Sequence, residues 1–328
     1  MGDPLRDHLA VGGDRLPRGR ETPLTIAVST TALDKTYGTT TALAGVELEV
    51  PTGALYGLIG PNGAGKTTLL EILAGLRRPS AGEVHLASPH SAIAYCPDVA
   101  EFEPWLTAAE VVALSVSLLG GRADQGAVSA SLGRVGLTKA ADRRVGGFSR
   151  GMTTRLNLSA ALVLEPRILL LDEPVASLDP LGRADILDLL ASLAGQSTVV
   201  ISSHDLSGVE ELCSDIGVLV DGRLIFQGTT PDLLATVSGN RWQVEVRPPA
   251  DRLIPRLRAA PWVLEVAETA PGRIELHATA ADQVELRLPM LLADVGARVI
   301  SLSPIRPTLD AAFLALTASA AKAEAQTR

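Results

Sequence analysis

The run Gly60-Pro61-Asn62-Gly63-Ala64-Gly65-Lys66-Thr67 constrains this chain more than any other stretch, because it dictates a backbone path and a ligand together. It fits G-x-x-x-x-G-K-[ST]. It lies between an apolar run, Ala54 to Ile59, and a segment with Leu69, Leu70, Ile72 and Leu73 on one helical face. Glycines let a backbone turn its N–H groups inward around an anion, and a helix starting there adds about half a positive charge at the same spot. The expectation is a loop that cradles phosphate oxygens, with Lys66 reaching the β- and γ-phosphates and Thr67 holding Mg²⁺. The helix should stop at Gly75, with Arg77 and Arg78 near its negative end and Pro79 beyond it.

Further along, Ile168 to Leu171 and Thr198 to Ser202 are apolar runs of strand length, and Leu181 to Leu193 has helical periodicity. Strands alternating with helices imply an α/β fold, a mostly parallel sheet covered by helices. Residues from about 100 to 165 look helical and form a candidate subdomain between motif-bearing segments. Residues 1–27 hold scattered Asp, Arg, Gly and Pro with no apolar core, so a mobile tail is expected there rather than a signal peptide. Residues 28–238 then form the nucleotide-binding unit. From about 239 to 328 the order β-α-β-β-α-β, with a turn at Pro271-Gly272, suggests a small α+β domain of ferredoxin-like type.

Three further segments carry chemistry. Ile168 to Leu171 ends in Asp172 and Glu173, and a parallel sheet places its ligand site at the carboxyl ends of its strands. Asp172 would share the Mg²⁺ shell, and Glu173 would polarise an attacking water as general base. Phe148-Ser149-Arg150-Gly151-Met152 opens a helical stretch with Ser149 as N-cap and Gly151 allowing close approach. His204 follows the strand ending Ser202-Ser203, within reach of a γ-phosphate; a structural histidine would look the same in isolation.

Composition narrows the partners. Of 328 residues 46% are hydrophobic but only 3% aromatic, so a sizeable core must be aliphatic. A net charge of −8 argues against broad nucleic-acid binding, which needs a basic field to displace counterions. Cys96 and Cys213 have no metal-type spacing and are expected to be buried, reduced thiols. No apolar run approaches the ~20 residues of a membrane span, so a membrane role would be peripheral.

In combination, GPNGAGKTT at Gly60 to Thr68, FSRGM at Phe148 to Met152, ILLLDEP at Ile168 to Pro174, SLDP at Ser177 to Pro180 and SSHDL at Ser202 to Leu206 resemble an ATP-binding cassette (ABC) ATPase. The resemblance covers roughly Ala32 to Thr236. It implies a P-loop NTPase fold that binds ATP through Gly60, Pro61, Asn62, Gly63, Ala64, Gly65, Lys66, Thr67 and Thr68. It also implies head-to-tail dimers in which Ser149, Arg150 and Gly151 serve the partner's ATP. Asp179 would lie across that interface, His204 would be the switch histidine, and Tyr37 would stack on adenine. Two departures stand out. The signature is FSRGM rather than LSGGQ, and the glutamine of the Q-loop is replaced by Asp98, which could meet Mg²⁺ through water. The variant signature and the extra C-terminal segment resemble single-cassette exporter subunits rather than importers. The implied partners are a membrane-spanning permease and a second ATP-binding subunit, in a homodimer at the cytoplasmic face of the plasma membrane, with no nucleic acid. Relatives acting on the ribosome or DNA usually carry two cassettes or long insertions, which this chain lacks.

Overall fold

The computed structural model describes residues 25–122, 124–236, 240–305 and 308–327. Residues 1–24 of the expected tail lie outside the described residues, and Ile26 and Ala27, assigned to that tail, instead open the first strand. The reason is local: Ala27 and Val28 are buried against the core, so the strand gains from starting early.

The chain begins with β1 (Ile26–Tyr37), β2 (Thr40–Val46), β3 (Glu49–Pro51) and β4 (Leu55–Ile59). Gly38, at φ 59°, starts the two-residue turn that returns β1 into β2. Next come α1 (Lys66–Leu73), β5 (Ala81–Leu86) and β6 (Ile93–Cys96). The helices α2 (Ala108–Leu118), α3 (Gln125–Arg134) and α4 (Arg150–Leu162) follow. The chain then returns to the sheet with β7 (Ile168–Asp172), α5 (Pro180–Ala191), β8 (Thr198–Ser203), α6 (Leu206–Leu212), β9 (Asp215–Val220), β10 (Arg223–Thr229) and α7 (Thr230–Ala235).

The central sheet runs β10-β9-β4-β8-β7-β6, parallel throughout except for β10 at its edge. Its strands β4, β7 and β8 are buried along their whole length, as expected when both faces are covered. Side chains alternate between two cores: Leu169 and Leu171 face α2 to α7, whereas Ile168 and Leu170 face α1 and the second sheet. That second sheet, antiparallel, joins β1 to β2, β3 and β5. From about Ile26 to Val50 the sequence is strand-like, Val46, Leu48 and Val50 alternating with polar residues, but β5 (AGEVHL) is exposed along most of its length and offers only Val84 and Leu86 as an apolar alternation, so its pairing with β1 is not legible.

The last third contains β11 (Asn240–Val246), α8 (Leu253–Arg258), β12 (Val263–Ala270), β13 (Arg273–Ala278), α9 (Ala281–Asp294), β14 (Val299–Pro304) and α10 (Leu309–Thr327). Strand order β12-β13-β11-β14, all antiparallel, with α8 and α9 in the crossovers, is a split β-α-β arrangement. Its core is its own: Val244, Leu257, Ile274, Leu276, Val284 and Leu288 pack together. The closing helix behaves differently. Leu309 and Ala312 of α10 are fully buried in the helical-side core of the first unit, against α6 and α7. The Leu309 N–H also donates to Glu210 on α6 at 3.2 Å. Among the described residues no helix is long and apolar enough to cross a membrane.

Candidate active site and its family

The carboxyl ends of β4, β7 and β8 lie side by side, and the segments leaving them carry the glycine-rich run with Lys66 and Thr67, Glu173, and His204. After β4 the chain turns through Gly63 (φ 82°) and Gly65 (φ 104°) into α1. A Cβ on Gly60 would stand 2.1 Å from the Leu219 carbonyl oxygen on β9, and one on Gly65 would stand 2.5 Å from that of Ala42. The loop can therefore lie this close to its neighbours only with glycine at both places. Gly65 caps α1 without a side-chain hydrogen bond, which leaves the first N–H groups of the helix facing the loop. Lys66 is buried, its ammonium donating to the carbonyls of Gly60 at 2.8 Å and Pro61 at 3.2 Å. Thr67, beside it, is exposed.

Glu173 sits between two donors. Its Oε1 is 3.5 Å from Lys66 Nζ and its Oε2 is 2.9 Å from His204 Nδ1. Its backbone is in the left-handed region at φ 50°, a costly state for a side chain of this size that turns the carboxylate out of strand direction. Ser202, fully buried on β8, steadies both acids: its hydroxyl donates to Asp172 and its oxygen accepts the Glu173 N–H at 3.0 Å. Tyr95 on β6 completes this wall. Burial first, and then the Asp172 carboxylate, push its phenol above the ordinary range, so it stays protonated and able to donate. Sequence reasoning missed Ser202 and Tyr95. A hydroxyl inside a buried parallel strand was the available signal for Ser202, and β6 is too short for its pattern to reveal Tyr95.

Tyr37, at the end of β1, is 41% exposed. Lys35 Nζ lies 5.0 Å from its ring centroid and the Arg77 guanidinium 5.7 Å, the latter anchored by Glu71. In the sequence Arg77 is legible only as a helix-end cation.

The signature residues gather at the start of α4. The Ser149 Oγ accepts the Met152 N–H at 3.3 Å as an N-cap. A Cβ on Gly151 would meet Leu178 at 3.2 Å, and Thr154 shares a 2.8 Å hydroxyl contact with Ser177, so α4 packs onto the SLDP segment. Asp179 caps α5 by accepting the Gly182 N–H at 2.8 Å. Asp98 lines one cleft together with Asp172 and Glu173, and its Oδ1 lies 3.6 Å from Arg150 Nη2.

A glycine-rich anion loop, a lysine and two carboxylates converging at the ends of parallel strands define a P-loop ATPase. Comparison with known proteins narrows the class. Residues 43–176 match the family model described as ABC transporter. The daunorubicin resistance ATP-binding protein DrrA2 of Streptomyces coeruleorubidus is 36% identical over 312 residues, covering 89% of this chain and 95% of that protein. The bacitracin transport ATP-binding protein BcrA of Enterococcus faecalis is 36% identical over 209 residues, covering 60% and 68%. Among solved structures, an ATP-binding subunit of an ABC transporter superposes with a TM-score of 0.59 at 25% identity, covering 65% of this chain and 93% of that one. A dimeric cassette, MJ0796, in a post-hydrolysis state with ADP and Pi, gives 0.58 at 26%, covering 62% and 98%. The chain belongs to the ABC transporter ATP-binding family, and its reaction is the hydrolysis of ATP.

Proposed function

We propose that two copies of this chain close head to tail around Mg-ATP and drive a separate membrane-spanning permease. The cargo would be a drug, a lipid or another hydrophobic or polymeric compound leaving the cell. The observation that carries this reading is the Lys66–Glu173–His204 chain at the mouth of the glycine-rich loop. The loop N–H groups and Lys66 bind the triphosphate, with Tyr37 against the base. Glu173 takes a proton from the attacking water, and His204 holds the Glu173 carboxylate and the γ-phosphate side of the site.

Mg²⁺ fits the donor set. Asp172 and the Thr67 hydroxyl are hard oxygen ligands, and among the described residues no cluster of three or more His, Cys, Asp or Glu forms an all-protein cage. An ion held by one carboxylate, one hydroxyl and phosphate oxygens needs no more, and when bound it neutralises charge on the phosphates. Ser149, Arg150 and Gly151 face the nucleotide of the second copy, where the α4 dipole favours an anion.

The names of DrrA2 and BcrA, which concern daunorubicin resistance and bacitracin transport, support the drug among these cargo classes. Peripheral attachment at the cytoplasmic face of the membrane follows from that reading. The competing reading is an ATPase working on the ribosome or DNA without a permease. Fractionation separates them: co-purification with one membrane protein is expected, and co-sedimentation with ribosomes would replace export by the second reading. Lys66→Ala should lose ATP affinity, and unchanged nucleotide binding would remove the P-loop assignment.

A further inference from the structure

Arg150 occupies the first turn of the 13-residue helix α4, where aligned peptide dipoles disfavour a cation. Its guanidinium is met there by Asp98, Oδ1 to Nη2 3.6 Å, with side chains 42% (Asp98) and 68% (Arg150) exposed. These two residues are also among the positions, with Phe148 and Met152, where the chain departs from the ABC pattern: a carboxylate in place of the neutral Q-loop glutamine, and an arginine inside the signature. In the fold each departure supplies the charge opposite to the other. The backbone holds them in register, because the Asn157 Nδ2 on α4 donates to the Pro97 carbonyl at 3.1 Å, next to Asp98. The Cys96 thiol adds a weaker contact with the Asn157 carbonyl at 3.7 Å.

We infer that Arg150 exchanges partners during the ATPase cycle. Asp98 holds the guanidinium while the cassettes are apart, and a terminal phosphate of the opposing nucleotide takes it when they close. Asp98 is thereby a positioning residue that acts through Arg150 and delays closure until ATP is present. The inference rests on the head-to-tail reading above. An exposed ion pair is weak and easily given up. A phosphate carries more charge than a carboxylate and matches the guanidinium with paired hydrogen bonds, so the exchange runs toward the nucleotide.

The test uses the full chain carrying Glu173→Gln, with ATP-dependent self-association followed by analytical sedimentation. Arg150→Ala should raise the protein concentration needed for half-association about tenfold, the loss of one charge-assisted contact. Asp98→Asn should lower it about threefold, the release of a weak exposed pair. In the Arg150→Ala background Asp98→Asn should have no effect, and Asp98→Glu should behave as the parent in either. Thermal melting of each variant monitors folding. If Asp98→Asn acts equally in both backgrounds, or weakens association, the exchange is wrong while the dimer stands. If the parent does not self-associate with ATP at all, the head-to-tail reading fails and the exchange fails with it.

Discussion

Ser202 does the geometric work for both acids of the site. With its hydroxyl bridging Asp172 and the Glu173 N–H, the strained Glu173 backbone has a buried partner. Ser202→Ala leaves that N–H unsatisfied and costs about 1–3 kcal/mol. We expect ATP turnover to fall by at least tenfold in steady-state assays while ATP affinity changes less. Glu173→Gln keeps the side-chain shape and the contact with His204 but removes the base. It should bind ATP, lose most hydrolysis and accumulate as a dimer, and parental turnover in that variant would refute the general-base assignment. The two thiols give a further check at this scale. Burial pushes Cys96 and Cys213 up to about 12, so neither should be alkylated at pH 8 until the protein unfolds. Lys66, Asp172 and Glu173 could be picked out beforehand because glycine spacing and strand-end carboxylates are local signals. The Arg77–Tyr37 and Asp98–Arg150 pairings could not, since each joins residues that only the fold brings together.

Elements differ in how plainly they announce themselves. β7, β8 and α1 were legible because uninterrupted apolar runs and a 3.6-residue stripe are strong patterns over short windows. β5 and β6 were not, the first for its polarity and the second for its length. Where the backbone approach is closest, a single methyl should be decisive. In Gly60→Ala the new Cβ meets the Leu219 carbonyl of β9, and the expected cost is about 1–3 kcal/mol or more, with loss of ATP binding, read by thermal melting and nucleotide titration. Helix α2 carries a pH-dependent cap. Thr107 accepts the Glu110 N–H, and hydrogen bonds from the Thr107 backbone and side chain hold the Glu110 carboxyl below its ordinary 4.5. A depressed folded value means stability that is present above the unfolded value and lost as pH falls through the folded one. Melting temperatures of the parent and Glu110→Gln should therefore differ above pH 4.5 and converge only as the pH falls on through the lowered value of Glu110.

At the scale of the molecule, two cores flank one sheet and a third stands alone in the C-terminal unit. The order of elements there was readable from alternating strand and helix patterns, but the destination of α10 was not, because an amphipathic helix does not say which core it joins. Leu288→Ala, at a fully buried position of α9, should destabilise the C-terminal unit by about 2–5 kcal/mol. The emission of buried Trp262 should report that unfolding, with ATP binding retained. The cassette, for its part, is not finished when α7 ends. Leu309 and Ala312 fill its helical-side core only after the whole C-terminal unit has been threaded between them. A ribosome would thus release the nucleotide-binding half with an apolar scar on α6 and α7 that heals last, so that the small unit, moored at both its ends, resembles a handle more than a trailing appendage.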